Sequence, residues 1–241
     1  GSVQQGFFGF SYHIGALYLL FTSAMTPLLI REFSIASGNK DFTQMATLFR
    51  RYIPLLYSIT AYFACFVALQ SEKVIHIMAG KSYKEAVTVV TIMAFYPVHQ
   101  TYGQLSSSVF LATGQTKLYR DTGIIMMLIG LPITYFLIAP KQQWGIGAGA
   151  TGLAIKMVLV QFIWVNVHLY FNARLLKLSF WRYLGHQIIS VGCLLVTAAF
   201  AAFIVDQVLG LQKNIIPGFL LSGVLYTLMV IGLAYYVPVI F

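Results

Sequence analysis

The chain contains few acidic residues, few charges of either sign and almost no cysteine. Only six of its 241 residues are Asp or Glu, and charged residues make up 9% of the chain against 59% hydrophobic residues. That leaves too little polar surface to cover a water-soluble globule of this size. The two cysteines, Cys65 and Cys193, lie in apolar stretches without metal-ligand spacing, so we expect them to be packing residues and not a disulfide.

Seven apolar stretches fill most of the chain, and each is long enough to cross a bilayer, whose hydrocarbon core of about 30 Å requires roughly 20 residues of helix. The predicted spans are 6–30, 52–70, 86–112, 122–139, 147–171, 188–206 and 215–236. We therefore predict an all-α, polytopic integral membrane bundle of about seven transmembrane helices. Residues 1–187 would form the core lobe with five of the spans, and residues 188–241 two additional peripheral helices.

The formal net charge of +9 would suggest nucleic acid in a soluble protein, but here the basic residues occupy short connections between spans. Alternate connections carry nine and five of them, which by the positive-inside rule places the richer set in the cytoplasm. The basic residues of the richer set are Arg31, Lys40, Arg50, Arg51, Lys117, Arg120, Arg174, Lys177 and Arg182. This topology puts the first residue outside and the last inside, and we expect no nucleic-acid partner. An outside start without a signal pattern suggests a truncated chain.

The fifth span carries a lysine within the apolar region. Gly145, Gly149 and Gly152 recur at helical spacing and are predicted to share a face with Lys156, so that a neighbouring helix approaches closely there. Counting from the start of the span places Lys156 about 15 Å deep, near mid-membrane. A cation there costs roughly 3 kcal/mol or more. Two explanations stay open: the lysine binds an anionic ligand such as a pyrophosphate, or it snorkels or pairs with a carboxylate outside this chain.

The third span is the other polar region, and it cannot all face lipid. One helical face carries Tyr96, His99 or Gln100, Gly103 and Ser107. That face is suited either to a water-filled cavity or to hydrogen bonds between helices. Pro97 is predicted to kink this helix and, with Gly103, to provide a hinge.

Weaker candidates lie elsewhere in the chain. His13 in the first span and Gln161 in the fifth are further polar candidates for a cavity, and Arg31 would meet either a phosphate or a lipid headgroup. Residues 38–41 predict a turn, and residues 42–49 an interfacial helix followed by the lipid anchors Arg50 and Arg51.

The chain lacks a set of residues that would support catalysis. Its five histidines are scattered over different segments, and it has neither a metal-ligand pair on one helix face nor a phosphate-cradling glycine loop. We therefore expect no enzyme activity, no cofactor and no metal.

Five short patterns occur in order along nearly the whole chain. They are GFFGF at 6–10 with Tyr12, LFRR at 48–51, MAGKSY at 78–83 with Ala86, LATGQTK at 111–117 and WGIGA at 144–148. In these the chain resembles the carboxyl-terminal half of polysaccharide exporters of the lipid-linked oligosaccharide (O-antigen-type) flippase group, within the superfamily that also holds multidrug and lipid II transporters.

The resemblance implies one lobe of a two-lobed, alternating-access transporter in a bacterial or archaeal cytoplasmic membrane. Its substrate would be a polyprenyl-pyrophosphate-linked glycan, flipped from the inner to the outer leaflet for cell-surface polysaccharide synthesis. Its partners would be membrane lipids and a missing amino-terminal lobe or second subunit. The candidate binding residues for such a substrate are those that the span analysis selects: Lys156, His99, Gln100, Tyr96, Gln161, His13 and Arg31. A cation-coupled multidrug exporter of the same fold and a non-transporting membrane scaffold subunit remain as alternatives.

Overall fold

The computed structural model describes residues 2–236, and all regular structure in that range is helical. The helices are α1 (Ser2–Gly38), α2 (Phe42–Leu69), α3 (Ser71–Met78), α4 (Val87–Met93), α5 (Tyr96–Ala112), α6 (Thr116–Ile138), α7 (Gly149–Leu175), α8 (Phe180–Phe203) and α9 (Ile215–Tyr236). Short 3₁₀ turns cover Lys81–Ala86, Lys141–Gln143 and Leu211–Lys213, and a π-helical turn, Ile204–Val208, ends α8. The predicted all-α fold class is confirmed.

Within residues 2–236, six helices are long and apolar enough to cross a membrane: α1, α2, α6, α7, α8 with its π-helical end, and α9. This pattern is that of a multi-pass membrane protein. The third predicted span, 86–112, is not one helix as expected. It consists of α4 and α5, which are separated at Ala94 and Phe95.

The break between α4 and α5 lies directly before Pro97, as the predicted kink requires. Proline has no N–H to donate to the carbonyl of Met93 one turn earlier, so one helical hydrogen bond is missing at the break. The Tyr18 hydroxyl of α1 donates instead to the neighbouring Ala94 carbonyl at 3.4 Å. The Pro97 ring fills the space beside Gly15 of α1, with its Cγ 2.7 Å from where a Cβ would stand. The kink is therefore a packed joint against α1.

The first two helices form a long antiparallel hairpin. With 37 residues α1 is about 55 Å long, well beyond the hydrocarbon core. The predicted turn at 38–41 is confirmed, and Asp41 caps α2 by accepting from the Gln44 N–H at 2.8 Å. The predicted interfacial helix at 42–49 is wrong, because these residues are the first turns of the continuous α2. Their apolar face is buried in the protein, as the fully buried Met45 and Phe49 show.

The centre of the bundle is α5, which packs against α1, α2 and α7. Three buried threonines join these helices: the Thr101 hydroxyl lies 2.9 Å from that of Thr22 and 3.1 Å from that of Thr60. Around this centre α6 packs mainly on α7, α8 lies along α2, and α9 lies on α8 and α3. The proposed division of the chain near residue 188 stays a prediction; α8 itself begins at Phe180.

A partly buried ion pair ties α3 to the end of α8. The Lys73 Nζ lies 2.6 Å from the Asp206 Oδ1, and the two side chains are 12% and 21% exposed. The π-helical turn places Asp206 there, and Gly218 of α9 leaves room for the ammonium, which lies 3.5 Å from where a Cβ would stand. The pair thus joins three helices at one end of the bundle.

We expect Lys73→Met to destabilise the protein by about 1–3 kcal/mol, because it leaves the Asp206 carboxylate partly buried without its counter-charge. Adding Asp206→Asn should recover part of the loss. Thermal unfolding in detergent measures both. Arg120→Ala is the control, since its pair with Asp121 is exposed (63% and 43%) and should contribute little. An equal loss in the single and double variants would contradict the expected coupling.

Candidate functional site

Two adjoining polar cavities lie between α5, α6 and α7. The inner chamber, of about 180 Å³, is lined by Tyr96, Gln100, Gly103, Gln104, Ser107, Tyr119, Gln161, Trp164, Val165 and His168. The Lys156 groove, of about 320 Å³, is lined by Tyr96, Gly123, Met126, Met127, Gly130, Leu131, Thr134, Lys156, Met157, Val160, Gln161 and Trp164. Tyr96, Gln161 and Trp164 belong to both linings, so the cavities are contiguous.

The polar face of α5 forms one wall of the inner chamber. Its lining residues recur at intervals of three or four, which places them on one side of the helix. The sequence allows either His99 or Gln100 to lie on this face. In the structure Gln100 lines the chamber and His99 does not. The Gln100 amide oxygen is buried and has no hydrogen-bond partner among residues 2–236, and the same holds for Gln104.

His99 points away from the chamber. Its ring packs between Phe162 of α7, at 5.0 Å between centroids, and Tyr57 of α2, at 6.5 Å. The predicted placement of His99 on a cavity wall therefore does not hold for either of the two cavities. The residue lies one helical position from Gln100, and that rotation of about 100° moves it into the helix packing.

Gly103 is a point of close contact between α5 and α7. A Cβ there would lie 3.0 Å from the Val165 Cγ1 and 3.2 Å from the Gln161 Nε2. The missing side chain lets the Gln161 amide reach the chamber wall. Its predicted role as a hinge stays a prediction, while its packing role is evident.

Lys156 lies in the groove against α6, with its Cε 3.5 Å and its Nζ 3.8 Å from where a Cβ on Gly130 would stand. Within the described part of the chain its ammonium has no ion pair and no hydrogen bond. Because α7 begins at Gly149, the lysine stands about 10 Å along the helix and not 15 Å. It is therefore nearer one end of the bundle than predicted.

The three packing glycines do not share one helical face. Gly145 lies before α7, in the turn that packs on the end of α6, where a Cβ would overlap the Ala139 carbonyl. Gly149, at the start of α7, faces Gln4 of α1, whose amide oxygen accepts from the Ala150 N–H at 3.0 Å. Only Gly152 meets the expectation, since it faces the Leu137 carbonyl of α6 and lies one turn before Lys156.

A bonded pair on α7, which the sequence analysis did not select, completes the chamber. The Trp164 Nε1 donates to the His168 Nε2 at 2.8 Å, and the Thr122 hydroxyl of α6 lies 3.1 Å from the same nitrogen. Both residues follow Gln161 at intervals of three and four. That spacing on the face of a recognised candidate is the signal that would have found them.

The remaining candidates lie outside the two cavities. His13 is exposed on α1 beside Tyr12, whose ring lies 6.0 Å from that of Tyr96. Arg31 is exposed within the long α1 and contacts neither cavity. The structure therefore brings together four of the seven predicted residues: Lys156, Gln100, Tyr96 and Gln161.

A third cavity, the apolar groove, opens between α1, α2 and α9. It measures about 700 Å³, and its lining is almost entirely aliphatic and aromatic: Ile14, Leu17, Tyr18, Phe21, Tyr62, Phe63, Phe66, Val67, Val74, Met78, Phe219, Leu220, Gly223, Val224, Thr227 and Leu228. The Tyr62 hydroxyl is hydrogen-bonded to that of Thr227 at 2.6 Å, which satisfies the polar tips at its wall.

The linings of the inner chamber and the Lys156 groove combine aliphatic and aromatic side chains with amides, hydroxyls, one imidazole and one ammonium, and no carboxylate belongs to either lining. No group of three or more His, Cys, Asp or Glu side chains within residues 2–236 is placed to hold a metal ion. Comparisons with protein-family models, with curated proteins and with solved structures return no match to the chain.

Proposed function

We propose that this chain forms one lobe of a membrane flippase that moves a polyprenyl-pyrophosphate-linked glycan from the inner to the outer leaflet. The observation that carries the proposal is the unpaired Lys156 in a groove continuous with a polar, aromatic chamber. A lysine surrounded by Met126, Met127 and Leu131 is costly unless an anion or water meets it. The diphosphate would lie in the Lys156 groove, and the sugar attached to it would lie in the adjoining inner chamber.

The apolar groove suits the third part of such a substrate. A polyprenyl tail needs an apolar path, and the wall of Phe63, Phe66 and Phe219 offers apolar surface, in a groove that shares no lining residue with the other two cavities. The resemblance to flippases of lipid-linked oligosaccharides favours the same assignment. Head and tail would then contact different helices of one bundle.

Alternating access requires a second lobe, in the same polypeptide or in a partner subunit, that closes against α5, α6 and α7. The break before Pro97, where α4 ends and α5 begins, offers a point at which the third span could flex. We place the protein in the cytoplasmic membrane of a bacterium or archaeon, without catalytic activity.

A cation-coupled drug exporter is the second candidate, but neither polar cavity carries the carboxylate that would bind a coupling cation. A membrane scaffold would have no use for an unpaired lysine in a groove.

The test uses cells that make a surface polysaccharide but lack their own flippase. Expressing the protein from its complete gene should restore surface glycan and prevent accumulation of the lipid-linked intermediate in the inner leaflet. Both quantities are measured by leaflet-specific lectin labelling and by extraction of the lipid fraction. Restored drug resistance without glycan export would support the exporter instead, and neither effect in cells with several different glycans would contradict both transport functions.

A further inference from the structure

We propose that the inner chamber binds one neutral sugar ring of the glycan head, stacked on Trp164, which His168 holds in place, and beside the amide groups of Gln100, Gln104 and Gln161. This inference rests on the proposed function and assigns a position within it. The chamber and the Lys156 groove then divide the head group between them, with the sugar in one and the phosphate in the other.

The chamber has room for a sugar ring. It offers about 180 Å³ of space to water-sized groups and is partly open, so the other sugars of a longer glycan would extend through its open side.

Trp164 is held as a stacking surface. Its indole N–H is satisfied by His168, so the ring presents only its apolar faces and edge. The edge lies against Gly123 of α6, where a Cβ would stand 3.9 Å from the Cζ2. The indole is half-buried, and Tyr96 and Tyr119 lie in the same lining. The C–H faces of a sugar pack on such aromatic rings.

The hydrogen bond from Trp164 also fixes the proton of His168. An indole nitrogen can only donate, so the His168 Nε2 accepts and the proton lies on Nδ1. That Nδ1 is buried without a partner among residues 2–236. The Gln100 and Gln104 amide oxygens are likewise buried and unpartnered, so all three atoms lie in the wall and do not open into the chamber. A hydroxyl in the chamber pairs with an amide oxygen once that side chain turns toward it. Leaving such atoms unpaired costs free energy, and a hydroxyl both donates and accepts.

The chamber is neutral, which sets its preference among sugars. No Asp, Glu, Lys or Arg belongs to its lining, and the neutral tautomer of His168 adds no charge. A uronic acid would bring a carboxylate to a site without a counter-charge. The cation lies in the adjoining groove. Lys156 precedes Trp164 by eight residues, which is about 12 Å along α7.

The experiment measures binding of free sugars to the full 241-residue chain in lipid nanodiscs. Trp144 and Trp181, which are 90% and 75% exposed, are first replaced by Phe so that Trp164 alone fluoresces. The probes are methyl glucoside, methyl N-acetylglucosaminide and sodium glucuronate. We expect a saturable change in emission with at least one neutral glycoside, with a dissociation constant in the millimolar range, and at least about tenfold weaker binding of glucuronate.

Variants separate recognition from folding. His168→Leu should weaken binding of the neutral glycoside about tenfold, because Trp164 loses the partner that holds its ring, and Gln104→Leu should do the same, because an amide beside the chamber is lost. His168→Gln should retain binding, because its amide oxygen can still accept from Trp164. Ser222→Ala removes another buried, unpartnered hydroxyl in α9, away from the chamber, and should leave binding unchanged. Saturation-transfer NMR on the same samples detects any ligand that does not alter the fluorescence.

The outcomes for the chamber are distinct from those for export. If neither method detects saturable binding of a neutral glycoside, the chamber holds water only and the proposal is wrong. Equal binding of glucuronate would overturn the neutral preference, and an equal loss in Ser222→Ala would show a folding defect in place of recognition. Sugar binding without glycan export in cells would support the sugar site and contradict the flippase function. Glycan export without sugar binding would support the flippase function and contradict the sugar site.

Discussion

Replacing Lys156 by Ala in the protein made from its complete gene is expected to abolish glycan export while leaving its abundance in the membrane unchanged. The ammonium is the only charged group in the lining of the groove and has no partner within residues 2–236. Its removal relieves the cost of a cation among apolar side chains, so the fold should not suffer. The loss should therefore be confined to the binding of the anionic head. Surface glycan and the inner-leaflet intermediate are measured together with the amount of membrane-inserted protein.

Two further lysine variants test the nature of this role. Lys156→Arg should retain most of the export if the position supplies only a positive charge near a diphosphate. Lys141→Ala is the matched control, because this lysine is exposed in the turn after α6 and lines neither polar cavity. Normal export by Lys156→Ala would remove the lysine from the mechanism. A fall in membrane abundance would instead identify a structural role.

Gly145→Ala is expected to destabilise the protein by about 3 kcal/mol, the largest effect on stability that we predict for a single methyl group. The turn before α7 folds back on α6: the Ile146 N–H donates to the Phe136 carbonyl at 2.8 Å, and the Ala148 N–H donates to the Leu137 carbonyl at 2.9 Å. A Cβ on Gly145 would overlap the Ala139 carbonyl, and a backbone atom held in this way cannot move aside as a flexible side chain would. Thermal unfolding in detergent checks the expectation.

The control for Gly145 is another glycine with free space around it. Gly192 lies in α8 with nothing within 4 Å of a Cβ, so Gly192→Ala should be neutral or stabilising by up to about 1 kcal/mol. Equal stability of the two variants would show that the turn opens at little cost. In that case the contact between this turn and α6 would be weaker than its hydrogen bonds indicate.

The sequence predicts the membrane class and most of the helices because the apolar runs are long and the charges lie between them. It also predicts a break near Pro97, because proline removes a helical hydrogen bond. Proline alone does not decide the matter, since Pro27, Pro54 and Pro132 lie inside the continuous helices α1, α2 and α6. The boundary between interfacial and spanning helix at 42–49 could not be predicted. An apolar stripe such as Met45 and Phe49 has the same spacing whether it faces lipid or another helix, and only the position of α1 decides between them.

The candidate site was predicted in part for a similar reason. Gln100 and His99 are neighbours in sequence, and the rotation of α5 about its axis determines which one reaches the chamber. Trp164 and His168 bond within one helix, so their pairing was accessible from spacing alone. Whether they form part of a site depends on Gly123 and Thr122 of α6, which lie beside Trp164 and His168. These contacts arise only from the packing of the helices, which the sequence does not reveal.

The contacts at Pro97 couple the position of α1 to the angle between α4 and α5. The Pro97 ring is seated in the notch at Gly15, and Tyr18 holds the Ala94 carbonyl one turn further along α1. A change of angle between α4 and α5 must therefore either move α1 or break two contacts, the one between Pro97 and Gly15 and the hydrogen bond from Tyr18 to Ala94. The helix continues from Gly15 through Pro27 to the hairpin tip at Gly38, about 35 Å away, so a change at the Pro97 contact would displace the tip to the extent that α1 stays straight at Pro27.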